Sequence, residues 1–389
     1  MSVEIIQINL QTEFGGGEVY TQFLTQTLRN LHIPTRIIVH EAATFWQKLN
    51  IANVDLIRCS GLAELPKLLG KTPKLLLSHG PLPTAVSMRL QHHCLTAIAH
   101  MPLTGRDPSP YQPYHQIIAV SEYVLNTLKQ AGFDKVINQP LYGIANPEIA
   151  RQLPQPIHKA SLYTWDKRKG RDVLLSYLEP FYQKFAATPI FVKRPGLTLG
   201  IVSRLTPIKQ FPLLFQHIAP VIRDFPALNL EIFGSGGYAS IRDLKQALHP
   251  IKNQVRFWGQ QWSVGSIYRQ CDYILSGLPE REALGLNLLE AQACDTPVIA
   301  VQAPPFTETV NPNVSGLLYI DPRQDQAADF RRVMTLITQN PPLLNPAGST
   351  HLARFTLTNF EKTLYSIVPL LESAYNDKKR YDNHLSKVL

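Results

Sequence analysis

The chain has 389 residues and a hydrophobic content of 44%, which is enough apolar material for two domains of ordinary size. Its four cysteines, Cys59, Cys94, Cys271 and Cys294, are scattered without metal-binding spacing, so we expect reduced thiols and no structural metal. The N-terminal segment has the pattern of a strand rather than of a signal peptide or a spanning helix. We therefore expect a cytoplasmic protein whose membrane contact, if any, is peripheral and on the inner face.

The net charge of +9 is unevenly distributed along the chain. Residues 1–195 contain 20 Lys and Arg against 13 Asp and Glu, whereas residues 196–389 contain 18 against 16. The densest basic cluster, Lys167–Arg171, follows Trp165, a pairing suited to anionic lipid headgroups or to a phosphorylated glycan. A solvated loop is an equal alternative. No recognised nucleic-acid-binding motif accompanies the charge, so we expect no nucleic-acid partner.

Aliphatic and β-branched runs alternate with amphipathic stretches in both halves, which predicts parallel sheets covered by helices. The predicted strands of the first half are Val3–Ile8, Thr35–Val39, Val54–Arg58, Lys74–Ser78, Leu95–Ala99 and Gln116–Val120. Those of the second half are Thr198–Ser203, Leu228–Phe233, Gln254–Phe257, Tyr273–Leu275 and Pro297–Val301. Helices are predicted between the strands, for example at Glu18–Leu31, Glu122–Ala131, Phe211–Asp224 and Ile241–Leu248. The order predicts two Rossmann-like sheets in series.

Residues 154–195 interrupt this alternation with several prolines and one helical stretch around Val173–Phe185. We take the end of this region as the linker, which gives predicted domains of residues 1–195 and 196–369. Near the C-terminus, Phe360–Tyr375 is predicted to be helical and is followed by a charged tail. The last helical residues, about 370–389, are expected to pack back onto the first domain.

Two carboxylates mark the strongest candidate site. Glu282 and Glu290 have seven residues between them and lie around the predicted start of a helix. Gly285 permits a tight turn there, and the unpaired amides of the first helical turn attract a diphosphate. The carboxylates are then placed to accept hydroxyl groups of a sugar or a ribose. A charge that complements the helix dipole, together with a solvated side chain, is the structural alternative.

A second segment, Gly200–Lys209, combines a strand with a turn that carries Arg204 and Lys209. Ligands of open α/β sheets bind at the carboxyl edge of the strands, where this turn is expected. Two cations at that edge are suited to neutralise a departing diphosphate. Ordinary surface cations are the alternative.

Two glycine-rich loops follow predicted strands. Gly234 begins one of them, and an acidic residue that a dinucleotide fold requires on the next strand is missing from Val255–Gly259. Nicotinamide binding is therefore not expected, and the glycines either let the backbone approach a nucleotide or make the turn. Gly15 and Gly16 lie in the other loop, where amides can face an anion or form a plain tight turn.

Two of the twelve histidines, His79 and His100, close predicted strands and are expected to point into a cleft. Lone histidines are more often structural than catalytic, and His92 and His93 are interpreted in that way. His100 is the better candidate for contacting a transferred sugar.

Taken together, these residues resemble the retaining glycosyltransferases of family 4, whose GT-B architecture has two Rossmann-like domains facing across a cleft. The E-x7-E, R-x4-K and G-G-x-E motifs of that family correspond to Glu282 with Glu290, Arg204 with Lys209, and Gly15, Gly16 with Glu18. The resemblance implies that Glu282 and His100 contact the donor sugar and that Glu290 binds the ribose. It further implies that the amides at Gly285, Leu286 and Asn287 meet the distal phosphate.

The resemblance implies a retaining transfer of a hexosyl or N-acetylhexosaminyl unit from a nucleoside-diphosphate sugar to a hydroxyl of a glycan or glycolipid. The chain contains no Asp-x-Asp triplet, so we expect no metal and no cofactor, and we expect UDP rather than GDP in the donor. The basic first half suggests an acidic, membrane-attached acceptor in cell-envelope polysaccharide or lipopolysaccharide synthesis. Two alternatives stay open: a non-catalytic donor-binding scaffold, and a phosphorylase, epimerase or disaccharide synthase of the same fold.

Overall fold

The computed structural model describes residues 3–49, 51, 54–145, 147–165, 170–185 and 189–388. The chain forms two compact units, which we call unit 1 (Met1–Ile144 with Ala353–Leu389) and unit 2 (Ala145–Leu352). Each unit contains one parallel sheet of six strands, with helices in the connections. The predicted α/β fold with two Rossmann-like domains is therefore confirmed.

The sheet of unit 1 has the strand order β3-β2-β1-β4-β5-β6. Its strands are β1 (Ile5–Asn9), β2 (Thr35–His40), β3 (Asp55–Cys59), β4 (Leu75–His79), β5 (Cys94–Ala99) and β6 (Gln116–Ala119). All five pairings are parallel. The order reverses between β1 and β4, the point at which open α/β sheets leave a crevice for ligands.

The first helices of unit 1 are α1 (Gly16–Asn30), α2 (Leu65–Leu69), α3 (Thr84–Arg89) and α4 (Glu122–Gln130). Helix α1 buries Tyr20, Leu24 and Leu28 on one face, as the four-residue spacing of these apolar side chains predicts. Helix α4 begins after Ser121, whose Oγ accepts a hydrogen bond from the Val124 amide at 3.1 Å. Helix α4 begins three residues after the end of β6, and α1 follows β1 after the loop that contains Gly15.

Unit 2 repeats the same topology in the order β12-β11-β10-β7-β8-β9. Its strands are β7 (Leu197–Val202), β8 (Leu228–Phe233), β9 (Val255–Gly259), β10 (Tyr273–Leu275), β11 (Val298–Val301) and β12 (Gly316–Tyr319). Its helices are α5 (Pro147–Arg151), α6 (Gly170–Phe185), α7 (Phe211–Arg223), α8 (Tyr238–Ala247), α9 (Val264–Tyr268), α10 (Leu286–Ala293), α11 (Phe306–Thr309) and α12 (Ala328–Gln339). The order reverses between β7 and β10. The sequence predicted every strand of the two sheets except β12.

The predicted division at residue 195 differs from the structure, where unit 2 begins at Ala145. Ile149, Ile157 and Phe191 belong to the buried core of unit 2, so the segment before β7 folds with that unit. Arg256 reinforces this attachment, because its guanidinium lies over the Phe191 ring at 5.3 Å. The proline-rich composition of this segment did not predict these contacts, which join residues that are far apart in sequence.

The C-terminal helix α13 (Leu357–Val388) is longer than predicted and includes the charged tail. It packs against α1, β4 and β5, and unit 1 resumes at Ala353 rather than near residue 370. The Phe360 ring lies 5.6 Å from that of Tyr20, and Tyr375 donates a hydrogen bond to the Pro73 carbonyl at 3.1 Å. An ion pair between Lys378 and Asp382, one helical turn apart, stabilises the charged end as a helix.

Candidate functional site

The turn after β7 carries two of the predicted cations. Arg204 is exposed, and Lys209 ends a short 3-10 helix that spans Pro207–Lys209. The end of β7 is fixed from another element, because Asn287 Nδ2 donates to the Val202 carbonyl at 3.1 Å. Asn287 thus ties the start of α10 to the strand that precedes the cations.

Lys209 and Glu282 are brought together by the topology. They are 73 residues apart in sequence, but β7 and β10 are adjacent and parallel, so their following loops leave the same edge of the sheet. The Nζ of Lys209 forms an ion pair with Oε2 of Glu282, and the two side chains are 25% and 19% exposed. They are thus partly shielded from water and still accessible to a ligand.

The loop that carries Glu282 is anchored at its start and shaped at its end. Arg323 forms ion pairs with both Glu280 and Asp321, which fixes the loop to the segment after β12. At the other end Gly285 has φ 82°, and a Cβ there would lie 3.2 Å from the Phe306 ring. The left-handed conformation therefore favours glycine at Gly285, and a side chain there would also crowd the Phe306 ring.

Helix α10 begins directly after Gly285. The amides of Leu288 and Leu289 donate to the Gly285 carbonyl at 2.9 and 3.3 Å. The amides of Leu286 and Asn287 precede these first helical bonds and therefore face outward at the N-terminus of the helix. An anion placed there meets the positive end of the helix dipole.

Glu290 lies in α10 and accepts a hydrogen bond from Tyr268 Oη at 2.9 Å. Burial raises the pKa of Glu290 to about 7, and the hydrogen bond from Tyr268 opposes that rise. Glu290 is thus poised to gain or lose a proton near neutral pH. Tyr268, which is fully buried on α9, was not found from the sequence because no motif surrounds it.

Gly234 follows β8 and packs against the chain's own backbone. A Cβ at Gly234 would lie 1.9 Å from the Ser203 carbonyl oxygen, and the Leu205 amide donates to the Ser235 carbonyl at 2.8 Å. These contacts join the loop after β8 to the turn that carries Arg204. They give Gly234 a role in shaping the turn, and its predicted contact with a nucleotide stays a prediction.

Gly234→Ala should therefore lower the free energy of unfolding by about 2–4 kcal/mol, because φ is 153° and the added Cβ meets backbone that cannot rotate away. Urea unfolding measures the change. Gly237→Ala is the matched control, since φ is −63° there and no atom lies within 4 Å of the added Cβ. Equal effects of the two substitutions would show that the contact with Ser203 does not constrain the loop.

The remaining predicted site residues lie in unit 1. Gly15 precedes α1, Gly16 is its first residue, and Glu18 is buried in its first turn. His100 directly follows β5. Their predicted contacts with a donor stay predictions.

His79, at the end of β4, is the centre of a polar network that the sequence did not reveal. Its Nε2 lies 3.0 Å from Gln7 Oε1, and its Nδ1 lies 3.2 Å from His100 Nε2. Gln7 Nε2 donates to the hydroxyls of Thr25 and Thr35, so Gln7 Oε1 is the acceptor of the His79 Nε2 proton. His79 Nδ1 is then an acceptor, and both the Thr21 hydroxyl at 3.0 Å and the Nε2 of His100 at 3.2 Å lie within hydrogen-bond distance of it.

Both histidines are neutral near pH 7. Burial lowers the pKa of His100 to about 4, and burial together with the neighbouring His100 lowers the pKa of His79 well below its ordinary value. The position that the sequence favoured for contacting a sugar is thus occupied by a neutral imidazole, that of His100.

The basic cluster of the sequence lies largely outside the described residues, which include only Gly170 and Arg171 of Lys167–Arg171. Within the described part of the chain, none of the helices has the length and apolar character that crossing a bilayer requires. Among the same residues, no group of three or more His, Cys, Asp or Glu side chains is arranged to hold a metal ion.

Residues 190–344 match the family model described as "Glycosyl transferases group 1". The chain is 27% identical over 280 residues to a D-inositol 3-phosphate glycosyltransferase of Segniliparus rotundus, covering 68% of this chain and 56% of the relative. A protein of the same name from Stackebrandtia nassauensis is 32% identical over 179 residues, covering 41% of this chain and 39% of the relative. The chain thus matches about half the length or less of these curated relatives.

Solved structures resemble the chain over almost its whole length. Anabaena Alr3699/HepE in complex with UDP has a TM-score of 0.67 at 16% identity, covering 94% of this chain and 100% of that one. Sucrose-phosphate synthase of Thermosynechococcus elongatus has a TM-score of 0.69 at 16% identity, covering 96% and 100%. At these identities the similarity establishes the fold, which is the GT-B arrangement of two Rossmann-like domains.

Proposed function

We propose that this protein is a glycosyltransferase that moves a sugar from a nucleoside-diphosphate sugar to a hydroxyl of a glycan or glycolipid, with retention of anomeric configuration. The observation that supports this most is the Lys209–Glu282 ion pair beside the N-terminus of α10, at the switch point of the second sheet. A cation, a carboxylate and open helical amides are the groups that a sugar diphosphate needs. The family match covers this segment.

In the proposed reaction the bond from the anomeric carbon to the diphosphate oxygen breaks, and a bond from that carbon to the acceptor oxygen forms on the same face. Lys209, Arg204 and the amides of Leu286 and Asn287 stabilise the negative charge on the departing diphosphate. The acceptor's proton passes to an oxygen of that diphosphate. Glu282 accepts hydroxyl hydrogens of the transferred sugar and positions it while positive charge develops at its anomeric carbon.

We propose UDP as the nucleotide, because several structural neighbours are complexes with UDP. Thermal unfolding of the wild-type protein with UDP, GDP, ADP and CMP tests this. A ligand at about a hundred times its dissociation constant should add about 2.7 kcal/mol, which shifts the unfolding temperature by several degrees. Stabilisation by none of the four would remove the basis of the proposal.

The alternatives differ in what they release. A non-catalytic scaffold binds the donor and never releases nucleotide, whereas a phosphorylase transfers to phosphate and an epimerase needs no acceptor. Measuring nucleotide release with water, phosphate, simple sugars and alkyl glycosides distinguishes them. Release that requires a hydroxyl acceptor supports the transferase.

We also propose that α6 attaches the protein to an anionic membrane surface. Leu174 and Tyr177 are 61% and 72% exposed, and Leu178 is exposed on the same face, because these positions are three or four residues apart. Arg171 is exposed one turn earlier, and the sequence has Lys167–Lys169 directly before the helix. An apolar face next to cations suits the boundary between headgroups and acyl chains of an anionic bilayer.

The protein should therefore sediment with vesicles that contain phosphatidylglycerol and not with vesicles of phosphatidylcholine alone. Replacing Leu174 and Tyr177 by Glu should remove most of this binding, since two charges would enter the apolar face. Leu343→Glu is the control, because Leu343 is fully exposed in the same unit and lies outside α6, after α12 in the chain. Equal binding to both vesicle types would contradict the membrane proposal and leave the transferase proposal intact.

A further inference from the structure

Unit 1 contains a cavity of about 460 Å³ at the carboxyl edge of its sheet. Residues that end or follow four neighbouring strands line it, including Leu10 after β1, His40 of β2, Leu62 after β3 and His79 of β4. The volume lies in the range of small-molecule sites, and the position is the one where open α/β sheets bind ligands. The cavity therefore has the size and place of a binding site.

The lining is mostly apolar. Leu10, Leu62 and Leu82 contribute aliphatic surface, and two prolines add to it. Polar groups come from Gln11, Thr12 and the two histidines. The twelve lining residues include no Asp, Glu, Lys or Arg, so the described wall offers hydrogen bonds and apolar contact but no permanent charge.

The surrounding chain is also close to neutral. Residues 1–144 contain 11 Lys and Arg against 9 Asp and Glu, whereas residues 145–195 contain 9 against 4. The basic excess of the first half therefore lies in the segment that folds with unit 2, and not in the chain that forms the cavity. His79 adds no charge near neutral pH, because burial lowers its pKa. The expectation of an acidic acceptor thus has no support at this site.

We infer that this cavity binds an uncharged acceptor that combines sugar hydroxyls with an apolar portion, such as an alkyl or isoprenoid glycoside. A phosphorylated acceptor would need Arg or Lys to replace its hydration, and the described lining contains neither. The two D-inositol 3-phosphate glycosyltransferases described above are named for a phosphorylated compound, so this chain would differ from them in acceptor class. The inference rests on the proposed function, since it names the acceptor of that reaction.

The test compares ligands that differ in one group. Methyl β-glycosides, hexyl β-glycosides and 6-phosphates of glucose, galactose, mannose and N-acetylglucosamine are titrated by calorimetry, with hexyl compounds below their aggregation threshold. For at least one sugar the hexyl glycoside should bind about tenfold more tightly than the methyl glycoside, because two or more methylene groups become buried. The 6-phosphate of that sugar should bind more weakly than the methyl glycoside.

Leu62→Lys places a cation in the cavity wall, and it should weaken hexyl glycoside binding by about tenfold and strengthen phosphate binding. Gln11→Lys serves as a second variant, because Gln11 is exposed and its replacement does not disturb the core. Leu343→Lys, at an exposed position of unit 2, should change neither affinity.

Tighter binding of the phosphates by wild-type protein would overturn the inference. So would the absence of alkyl glycoside binding in protein that UDP stabilises, or binding that neither Leu62→Lys nor Gln11→Lys alters. None of these results affects the proposed function. A different result would contradict that function, namely the absence of stabilisation by any nucleoside diphosphate.

Discussion

Lys209→Ala should reduce turnover by about 10²- to 10³-fold and abolish the stabilisation that a nucleoside diphosphate gives the wild-type protein. The substitution removes the cation nearest to the proposed diphosphate. It also leaves the Glu282 carboxylate, 19% exposed, without its ion-pair partner. An unpaired carboxylate beside an anion repels it, so the loss should exceed that of one favourable contact. Nucleotide release and thermal unfolding with UDP measure the two effects.

The Lys209–Glu282 pair permits a double-mutant cycle. Replacing Glu282 by Gln in the Lys209→Ala background should recover part of the nucleotide binding, because the repulsive charge is removed. Lys193→Ala is the matched control, since Lys193 forms an ion pair with Asp272 at 2.8 Å in the same unit but before β7. A Lys209→Ala protein with nearly wild-type turnover, or a Lys193→Ala protein with an equal loss, would contradict the assigned role of Lys209.

The sequence predicted the sheets well because most strands are buried on both faces. Two strands, Leu228–Phe233 and Tyr273–Leu275, have the bounds that the apolar runs predicted. β12, which begins at Gly316, was not predicted, because its pairing with β11 gives it a stability that its own sequence does not indicate. The first domain boundary was misplaced for the same reason, since Phe191 enters the core of unit 2 through contacts distant in sequence.

The proximity of Lys209 and Glu282 could also be predicted, because both follow strands whose carboxyl ends meet at one edge. The residues that form hydrogen bonds with the candidate residues could not be predicted from the sequence. Tyr268 has no neighbouring motif, and the network around His79 depends on Gln7, a polar residue inside a buried strand. The role of such residues can be identified only from the folded structure, since neither their spacing nor the sequence composition distinguishes them from ordinary core residues.

Glu290 should make donor binding depend on pH near neutrality. Its carboxyl accepts best from two ribose hydroxyls when it is ionised, and its folded pKa is about 7. If only the ionised form binds, affinity should fall about tenfold between pH 8 and pH 6. Calorimetry with a UDP-sugar measures this, because the diphosphate of a UDP-sugar has no terminal phosphate that titrates in this range. Glu290→Gln should bind weakly and without this pH dependence.

Because of the same raised pKa, a rise in pH lowers the stability of the ligand-free protein, whereas it strengthens donor binding. The unfolded carboxyl ionises near its ordinary pKa of 4.5, while the folded one keeps its proton to about 7. The folded state is therefore increasingly disfavoured as pH rises through this interval, and the disadvantage is constant above it. Glu290→Gln, which keeps the hydrogen bond from Tyr268, should stabilise the protein more at pH 8 than at pH 4.5. A pH-independent difference between wild type and Glu290→Gln would mean that Glu290 is already ionised in the folded protein.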